Sequence, residues 1–289
     1  MGDSEIVIVV PTIRPDCLKA FMRAWRDIMR AHKAKLLVVW DGEVPCVECD
    51  GKRYQAPAEL EGLIFNLNDG VRNLGFYYAA KLFPECRYII TLDDDVSPVA
   101  DPLHGHVEAL QSKVPISWMS TASEYMRGFP YAVREEAEVY ASHGVWEGTM
   151  DYDAPTKLVR GNQPAIFYKG PVPRGVLIPV CGMNFAFRRE ALPYVYFAPM
   201  GSRLGVQRFA DIWMGITLKR ELDTLNKAMV TGLSVVQHDC KSDVFKNLQQ
   251  EARGITMNET FWAGDRSDKY FETYETCYAR WNEAMRVVV

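Results

Sequence analysis

The sequence has no hydrophobic run long enough to cross a membrane. Its longest unbroken apolar stretches, such as residues 6–10 and 36–40, fall far below the roughly 18 residues that a membrane span needs. The first residues, MGDSE, are acidic where a secretory signal would be basic, and the apolar run that follows them is too short for a signal peptide. These features predict a cytosolic protein with no membrane partner.

Positive charge is not in excess either. The 289 residues include 33 Lys and Arg against 37 Asp and Glu, which gives a net charge of −4. No overall basic field therefore attracts the chain to nucleic acid or to anionic lipid, although a local basic groove is compatible with this balance.

A disulfide framework is missing as well. Seven scattered cysteines, an odd number, are typical of reduced thiols. Cys46 and Cys49 form one CxxC pair with no second Cys or His pair nearby. Because a structural zinc site normally needs four ligands, this pair favours a surface loop.

What the sequence does contain is the composition of a globular protein with a sizeable core, 48% hydrophobic and 24% charged. This excludes a disordered, collagen-like or coiled-coil chain. No repeat or long linker interrupts it. We expect one compact unit, with a first lobe at residues 1–97, a second lobe at 98–243 and a helical cap at 244–289.

The first lobe alternates short strands with helices. Apolar runs predict strands at residues 6–10, 36–40 and 88–92, and helical spacing predicts helices at 16–31 and 72–83. Repeated β-α-β order with buried strands predicts an α/β fold with a mainly parallel, Rossmann-like sheet covered by helices on both faces. Ligands of such sheets bind at the carboxyl ends of the strands.

Polar residues follow all three predicted strands, and the third strand ends in three consecutive carboxylates, Asp93, Asp94 and Asp95. Neighbouring carboxylates repel one another unless a cation lies among them. Mg²⁺ or Mn²⁺, with water and substrate phosphate as further ligands, would satisfy them. The alternative is a solvated acidic turn or a helix N-cap.

Two further candidates depend on this triplet. His238 follows the largely apolar run 233–236, and a neutral imidazole can complete an oxygen-rich Mn²⁺ site, although a lone histidine is more often a satisfied polar residue. Arg127 and Arg134 flank Pro130, which excludes a regular helix. Their guanidinium groups suit phosphate recognition, and pairing with neighbouring glutamates is an equally good interpretation.

Several motifs recur together in one order, from residue 10 to about 255. They are VPTIR (10–14), WDG (40–42), YIITLDDD (88–95), RGFPYAVRE (127–135), SHGVW (142–146), DYDAPT (151–156), PVCGMN (179–184) and DIW (211–213). In these motifs the sequence resembles the reversibly glycosylated polypeptides, the plant UDP-arabinopyranose mutases of glycosyltransferase family 75. Ordered agreement of this kind is far more specific than any single motif.

The resemblance implies a nucleotide-diphospho-sugar fold of the glycosyltransferase A type, with residues 1–97 as the nucleotide-binding lobe and 98–243 as the sugar or acceptor lobe. It also implies that Asp93, Asp94 and Asp95 bind Mn²⁺ or Mg²⁺ and the diphosphate, with His238 as a further metal ligand. The residues implied to contact the nucleotide sugar, besides Asp93, are Thr12, Arg14 and Asp41 near the uridine, Arg72 near the diphosphate, and Asp153 and Asn184.

The reaction implied by the resemblance interconverts UDP-arabinopyranose and UDP-arabinofuranose. Arg127 matches the arginine that becomes reversibly glycosylated in the family, and Arg134 matches a second arginine needed for activity. Metal and arginine charge would stabilise the departing diphosphate. A guanidinium stays protonated, so an electrostatic role for Arg127 is favoured over a covalent one.

The sequence departs from the family at two places, and these keep other functions open. Ala210-Asp211 stands where the plant proteins carry an Asp-Asp pair, and the chain stops at Val289, short of their C-terminal extension. One alternative is a UDP-sugar-dependent glycosyltransferase acting on a glycan, a small molecule or a modified nucleic-acid base, with Asp211 as general base. Another is an inactive sugar-nucleotide-binding subunit. A homo-oligomer is compatible with all three functions.

Overall fold

The computed structural model describes residues 5–118, 124–239 and 242–289. In this part of the chain eleven strands form one sheet. The strands are β1 (Ile6–Thr12), β2 (Lys35–Trp40), β3 (Cys46–Cys49), β4 (Lys52–Gln55), β5 (Tyr88–Leu92), β6 (Val96–Pro98), β7 (Lys113–Pro115), β8 (Glu136–Gly148), β9 (Gly170–Val172), β10 (Asn184–Arg188) and β11 (Ala228–His238). The helices are α1 (Pro15–Ala31), α2 (Arg72–Leu82), α3 (Pro102–Gln111), α4 (Ala154–Arg160), α5 (Ala210–Thr224), α6 (Val244–Ala263) and α7 (Lys269–Val288).

The strand order is β4-β3-β2-β1-β5-β10-β8-β11-β6, with β7 beside β8 and β9 beside β11. The long strands β1, β2, β5, β8 and β11 run in one direction, and β10 is inserted antiparallel between β5 and β8. This confirms the α/β fold with a mainly parallel core. The short strands at the edges pair antiparallel, which the sequence pattern did not predict.

The CxxC pair belongs to one of these edge strands. Cys46–Cys49 is β3, which pairs with both β2 and β4. The prediction of a surface loop was therefore wrong, because both sides of this backbone are hydrogen-bonded in the sheet.

Helix α1 illustrates how the apolar spacing determines packing. Leu18, Phe21 and Trp25 recur three and four residues apart and are buried against the sheet. The indole of Trp25 donates a hydrogen bond to the carbonyl of Val96 at 2.9 Å, which satisfies its buried N–H group. Pro15 occupies the first helical turn, where a missing N–H costs nothing.

Helix α2 is buried almost throughout and packs closely on the centre of the sheet. At Gly75 a Cβ atom would lie 2.4 Å from Cγ1 of Val9 and 2.7 Å from Cγ2 of Val39. The glycine therefore allows the backbone of α2 to approach β1 and β2. This approach determines the position of Arg72, the first residue of α2.

The helices predicted for residues 244–289 are present as α6 and α7. Their aromatic side chains pack on α5, where Trp213 stacks on Phe261 with ring centroids 5.1 Å apart and contacts Phe271 at 5.5 Å. The division into lobes remains a prediction, since one continuous sheet includes strands from residues 1–97 and from 98–243. No helix in the described ranges is long and apolar enough to span a membrane.

Candidate functional site

The carboxyl ends of the parallel strands meet at one edge of the sheet, where a cavity of about 470 Å³ opens. It is lined by residues from positions 69–95 and 143–212, by His238 and Ser242, and by Glu251 of α6. Its polar lining residues include Asp69, Arg72, Asp93, Asp95, His143, Asp151, Asp153, Lys157, Arg208, Asp211, His238 and Glu251. The position of the cavity agrees with the sequence-based expectation for a ligand site in an α/β sheet.

The three consecutive carboxylates diverge from one another. Asp93 and Asp95 line the cavity, whereas Asp94 is buried beside Thr12 and Arg14. Both oxygens of Asp94 are engaged, because Oδ2 accepts a hydrogen bond from the Thr12 hydroxyl at 2.5 Å and Oδ1 pairs with the Arg14 guanidinium. The prediction that Asp94 binds metal is corrected: it joins the ends of β1 and β5.

Arg72 organises the wall of the cavity beside Asp93. Its side chain is only 3% exposed, pairs with Asp93 and donates to the Thr91 hydroxyl at 2.7 Å. Burial opposes its charge, but the carboxylates of Asp93 and Asp69 outweigh this and raise the pKa of Arg72 above its ordinary value. Arg72 therefore remains a cation, as the predicted role near a diphosphate requires.

Asp211, in the first turn of α5, also lines the cavity and lies near enough to Arg72 and Asp69 to interact with their charges. Its Oδ2 accepts a hydrogen bond from the N–H of Gly182 at 3.0 Å. Burial, together with the negative charge of Asp69, raises the pKa of Asp211 to about 7. A carboxyl group that titrates near neutrality can both donate and accept a proton, which is the property of a general acid–base residue.

Asp69 is a cavity residue that sequence reasoning missed. It begins the 3₁₀ turn Asp69–Val71, in which the Asn68 side chain accepts a hydrogen bond from the N–H of Gly70 at 2.8 Å. Burial raises the pKa of Asp69 despite the nearby positive charge of Arg72. The Asn-Asp-Gly sequence directly before α2 is a local turn signal that could have indicated a loop at the strand ends.

His143 holds the loop that forms another wall. Its Nε2 accepts a hydrogen bond from the N–H of Cys181 at 3.2 Å, so its Nδ1 carries the proton and donates to the Thr231 hydroxyl at 3.1 Å. Burial lowers the pKa of His143 to about 4, which keeps this imidazole neutral. The Cys181 thiol contacts Asp151 at 3.3 Å, and burial raises its pKa well above the ordinary value. His143 and Cys181 thus shape the cavity without carrying charge.

Three lining residues, Asp93, Asp95 and His238, are the candidate ligands of a divalent cation. His238 ends β11, and its Nδ1 donates to the carbonyl of Thr149 at 2.9 Å, which leaves the Nε2 lone pair available as a ligand. Asp95 Oδ1 is buried without a hydrogen-bond partner. Across residues 5–118, 124–239 and 242–289, no three His, Cys, Asp or Glu side chains are grouped closely enough to hold an ion alone. Substrate oxygens would therefore complete the coordination shell, as is usual for Mg²⁺.

The charges around the cavity also favour a bound divalent cation. Seven lining carboxylates, those of Asp69, Asp93, Asp95, Asp151, Asp153, Asp211 and Glu251, face three cationic side chains, Arg72, Lys157 and Arg208. An anionic ligand would be repelled by this excess of negative charge. A divalent cation and protonation of Asp211 would reduce the repulsion.

Unpaired polar atoms are concentrated at the cavity. Among the described residues four buried side-chain atoms have no hydrogen-bond partner, and three of them belong to lining residues: Arg72 Nε, Asp95 Oδ1 and Trp146 Nε1. Leaving such atoms unpaired is costly, and native structures contain few of them. Two donors and one acceptor at one cavity suit a polar ligand that offers both kinds of partner.

Asn184 does not offer an atom to a ligand, which corrects its predicted role. It is completely buried, and its Oδ1 accepts hydrogen bonds from His106 at 2.8 Å and from the Ser234 hydroxyl at 3.2 Å. Its Nδ2 donates to the carbonyl of Val145 at 3.0 Å. Asn184 therefore links β10 to its neighbours beneath the cavity.

Of the other residues predicted to contact the nucleotide, one lines the cavity and three do not. Asp153 lines the cavity and caps α4, since its Oδ1 accepts a hydrogen bond from the N–H of Thr156 at 2.9 Å. Thr12, Arg14 and Asp41 lie at the same sheet edge but are not lining residues. Asp41 accepts a hydrogen bond from the N–H of Leu67 at 2.7 Å. Contact between these three residues and uridine remains a prediction.

The structure places Arg127 and Arg134 far from the cavity. Both precede β8, and the seven residue steps from Glu136 to His143, a β8 residue that lines the cavity, span about 23 Å. The Arg134 guanidinium lies 3.8 Å from the centroid of the Tyr131 ring and donates to the carbonyl of Phe129 at 2.9 Å. The prediction that these arginines act on the diphosphate in the cavity of their own chain is thereby corrected.

Glu251 is a second residue that the motifs did not identify. It lies on α6, and its buried carboxylate pairs with Arg208. Its signal in the sequence is a charged side chain on the buried helix face that also carries Gly254 and Phe261. A buried carboxylate at such a position requires a partner.

A family model and the most similar relatives identify the same protein family. Residues 1–287 match the family model described as "Reversibly glycosylated polypeptide". The chain is similar to UDP-arabinopyranose mutase 1 of Oryza sativa subsp. japonica, with 31% identity over 98% of this chain and 84% of the relative. It is also similar to UDP-arabinopyranose mutase 2 of Arabidopsis thaliana, with 32% identity over 95% of this chain and 82% of the relative.

Among solved structures, the chain is similar to a glycosyltransferase involved in the glycosylation of the major capsid of PBCV-1. The alignment covers 86% of this chain and 98% of the other, with 9% identity and a TM-score of 0.34. This likeness is too weak to identify a fold or a function.

Proposed function

The chain belongs to the reversibly glycosylated polypeptide family, and on this premise we propose that it is a UDP-sugar mutase that interconverts the pyranose and furanose forms of UDP-arabinose. The observation that carries the proposal is the likeness to curated mutases over 95% or more of the chain. The matched region includes the strands, loops and helices that line the cavity. The unpaired polar atoms at the cavity support a polar, oxygen-rich substrate.

We propose that Asp93, Asp95 and His238 hold Mn²⁺ or Mg²⁺ together with the diphosphate of the substrate. The unpaired Oδ1 of Asp95 and the lone pair of His238 support this assignment. When bound, the ion would act as a Lewis acid that stabilises the negative charge of the departing diphosphate. Arg72 holds Asp93 in place and adds positive charge beside it.

The proposed reaction also requires two proton movements. The old ring oxygen must gain a proton when the ring opens, and the hydroxyl that closes the new ring must lose one. No proton is gained or lost overall, so one group that titrates near neutrality can serve both steps. Asp211, with its pKa raised to about 7 and its position on the cavity, is the group we propose.

Incubation with UDP-arabinopyranose and Mn²⁺, followed by chromatographic separation of the nucleotides, tests the proposal. UDP-arabinofuranose should form without accumulation of UDP. If UDP is released only when a glycan, small-molecule or nucleic-acid acceptor is added, and no furanose appears, the protein is a transferase instead.

We also propose a cytosolic location. The free thiols of Cys17, Cys46, Cys49, Cys86, Cys181 and Cys277 support a reducing compartment. Fractionation of cells that express the chain would test it, and recovery in a secreted or organellar fraction would contradict it.

A further inference from the structure

Arg208 has an unusual backbone conformation directly beside the cavity. Its φ angle is +65°, in the left-handed region that non-glycine residues seldom adopt, and its side chain lines the cavity. Strained residues of this kind persist where the surrounding structure fixes them, and they concentrate at functional sites.

Glu251 of α6 holds the side chain of Arg208. The Nε of Arg208 donates to Oε1 of Glu251 at 2.9 Å, and the Glu251 side chain is only 4% exposed. Its other oxygen, Oε2, accepts a hydrogen bond from the N–H of Ala154 at 2.7 Å. One buried carboxylate therefore joins the loop before α5, the start of α4 and helix α6.

This arrangement leaves the outer end of the guanidinium available. Within the described ranges, the hydrogen bond found for the Arg208 side chain is the one from Nε, and the side chain is 36% exposed. Burial opposes its charge, but Glu251, Asp151 and Asp69 outweigh this and raise the pKa of Arg208. Arg208 thus remains a cation whose Nη groups can serve a ligand.

The other cations of the cavity are less available. The two Nη groups of Arg72 are engaged by Thr91 and Asp93, and Lys157 carries an ammonium group, which lacks the planar pair of donors of a guanidinium. A planar guanidinium with two free Nη groups matches two oxygens of one phosphate. Arg208 can therefore donate two parallel hydrogen bonds to one phosphate of a diphosphate, in addition to the contacts of a metal ion.

We propose that Arg208 binds the outer, sugar-linked phosphate of a nucleoside-diphosphate sugar through its Nη groups, and that Glu251 is the positioning residue that orients it. The inference rests on the proposed function for the class of substrate. It adds a phosphate contact from the loop before α5 and a supporting residue from α6, outside the motifs at the strand ends.

Calorimetric titration of the full chain with UDP and with UMP, both in the presence of Mn²⁺, tests the phosphate contact. Arg208→Ala should weaken the binding of UDP by about tenfold, the effect of losing charge-assisted hydrogen bonds. It should leave UMP, which lacks the outer phosphate, within about twofold of the unsubstituted chain by the same reasoning. Arg203→Ala, an exposed arginine on the same loop, is the matched control and should bind both nucleotides normally. Unchanged UDP affinity in Arg208→Ala, or equal losses for UDP and UMP, would overturn the proposal.

Glu251 is tested through its coupling to Arg208. Glu251→Ala should lose affinity for UDP as Arg208→Ala does, and the double variant should lose little more, because both single changes remove the same interaction. Glu251→Gln retains acceptor oxygen for the Arg208 Nε and should recover part of the affinity. If the losses are additive, or if Glu251→Gln folds and binds UDP as poorly as Glu251→Ala, the positioning role is wrong. If Glu251→Ala does not fold, the double-mutant cycle is completed with Glu251→Gln and Arg208→Ala.

The outcome separates this proposal from the proposed function. A chain that binds UDP through Arg208 but does not interconvert arabinose forms would retain the phosphate site and refute the mutase. An active mutase in which Arg208→Ala binds UDP normally would refute the phosphate site alone.

Discussion

The hydroxyl of Thr12 donates to Asp94 at 2.5 Å and so ties the carboxyl end of β1 to that of β5. The middle carboxylate of the triplet is therefore turned away from the cavity that its two neighbours line. Three adjacent acidic residues thus have two different roles, structural for Asp94 and ligand-binding, as we propose, for Asp93 and Asp95.

Asp94→Asn should therefore act mainly on stability. It weakens the hydrogen bonds of a buried carboxylate to Thr12 and Arg14, at a cost of about 1 to 3 kcal/mol in the free energy of unfolding. Urea denaturation monitored by tryptophan fluorescence measures this cost. An Asp94→Asn variant with unchanged stability and no affinity for Mn²⁺ would show that Asp94, and not its neighbours, binds the metal.

Asp95→Asn should have the reverse effect. Replacing the carboxylate whose Oδ1 is buried and unpaired should lower the affinity for Mn²⁺ by about tenfold or more. The free energy of unfolding of the metal-free protein should fall by at most about 1 kcal/mol, because in the described part of the chain Oδ1 has no hydrogen bond to lose and Oδ2 pairs only with the half-exposed Arg14, at 3.0 Å. Titration with Mn²⁺ followed by electron paramagnetic resonance measures the first effect, and urea denaturation measures the second. Normal Mn²⁺ binding by this variant would remove Asp95 from the site.

Asp211 should make stability depend on pH in a characteristic direction. Its carboxyl has a raised pKa of about 7 in the folded protein, against about 3.9 in an unfolded chain. The folded state thus holds the proton more tightly, so this contribution is complete below about pH 4 and is lost as the pH rises to about 7. Asp211→Asn should remove a decline on the order of 2 to 4 kcal/mol between those values. Urea denaturation at a series of pH values would show an unchanged decline if Asp211 were not its source.

Gly75→Ala should destabilise the protein even though alanine favours helices. The added Cβ meets Val9 and Val39 at less than 3 Å and pushes α2 away from the sheet. Overpacking of this kind costs about 1 to 3 kcal/mol, more than the gain of up to about 1 kcal/mol in helix propensity. Thermal unfolding measures the change. Gly42→Ala, where a Cβ meets nothing within 4 Å, is the matched control, and equal melting temperatures for the two variants would contradict the close packing.

Arg127→Ala and Arg134→Ala should leave the binding of UDP unchanged. Their positions before β8, about 23 Å or more from the cavity by the length of strand between Glu136 and His143, exclude contact with a nucleotide there. Arg134→Ala should lower the melting temperature slightly, because it removes the contacts to Tyr131 and Phe129. Calorimetric titration with UDP checks the first statement. A tenfold loss of affinity in either variant would require a different arrangement of this segment.

The sequence predicted well what depends on local pattern. Apolar runs placed β1, β2 and β5 to within two residues, and the strand-end rule correctly placed Asp93, Asp95 and His238 on one cavity. The positions of Asn184 and Arg127 depend instead on the order and direction of strands that are distant in sequence. No local pattern shows that β10 runs antiparallel between β5 and β8, or that Arg127 lies at the amino end of β8.

The cavity residues that the sequence did not reveal have a common physical reason. Asp69, Arg208 and Glu251 come from a turn, a loop and a late helix, and each becomes significant through its neighbours in space. Of the three residues, Glu251 was the easiest to predict from the sequence, because a carboxylate on the buried face of an amphipathic helix requires a partner.

The central position of β10 also has a consequence for synthesis of the chain. The strand that separates β5 from β8 is formed by residues 184–188, so the inner edge of β5 has no pairing partner until well over half of the polypeptide has left the ribosome. Unpaired strand edges are prone to join other chains. A nascent chain arrested before residue 184 should therefore expose a protease-sensitive, aggregation-prone edge that disappears once β10 has emerged.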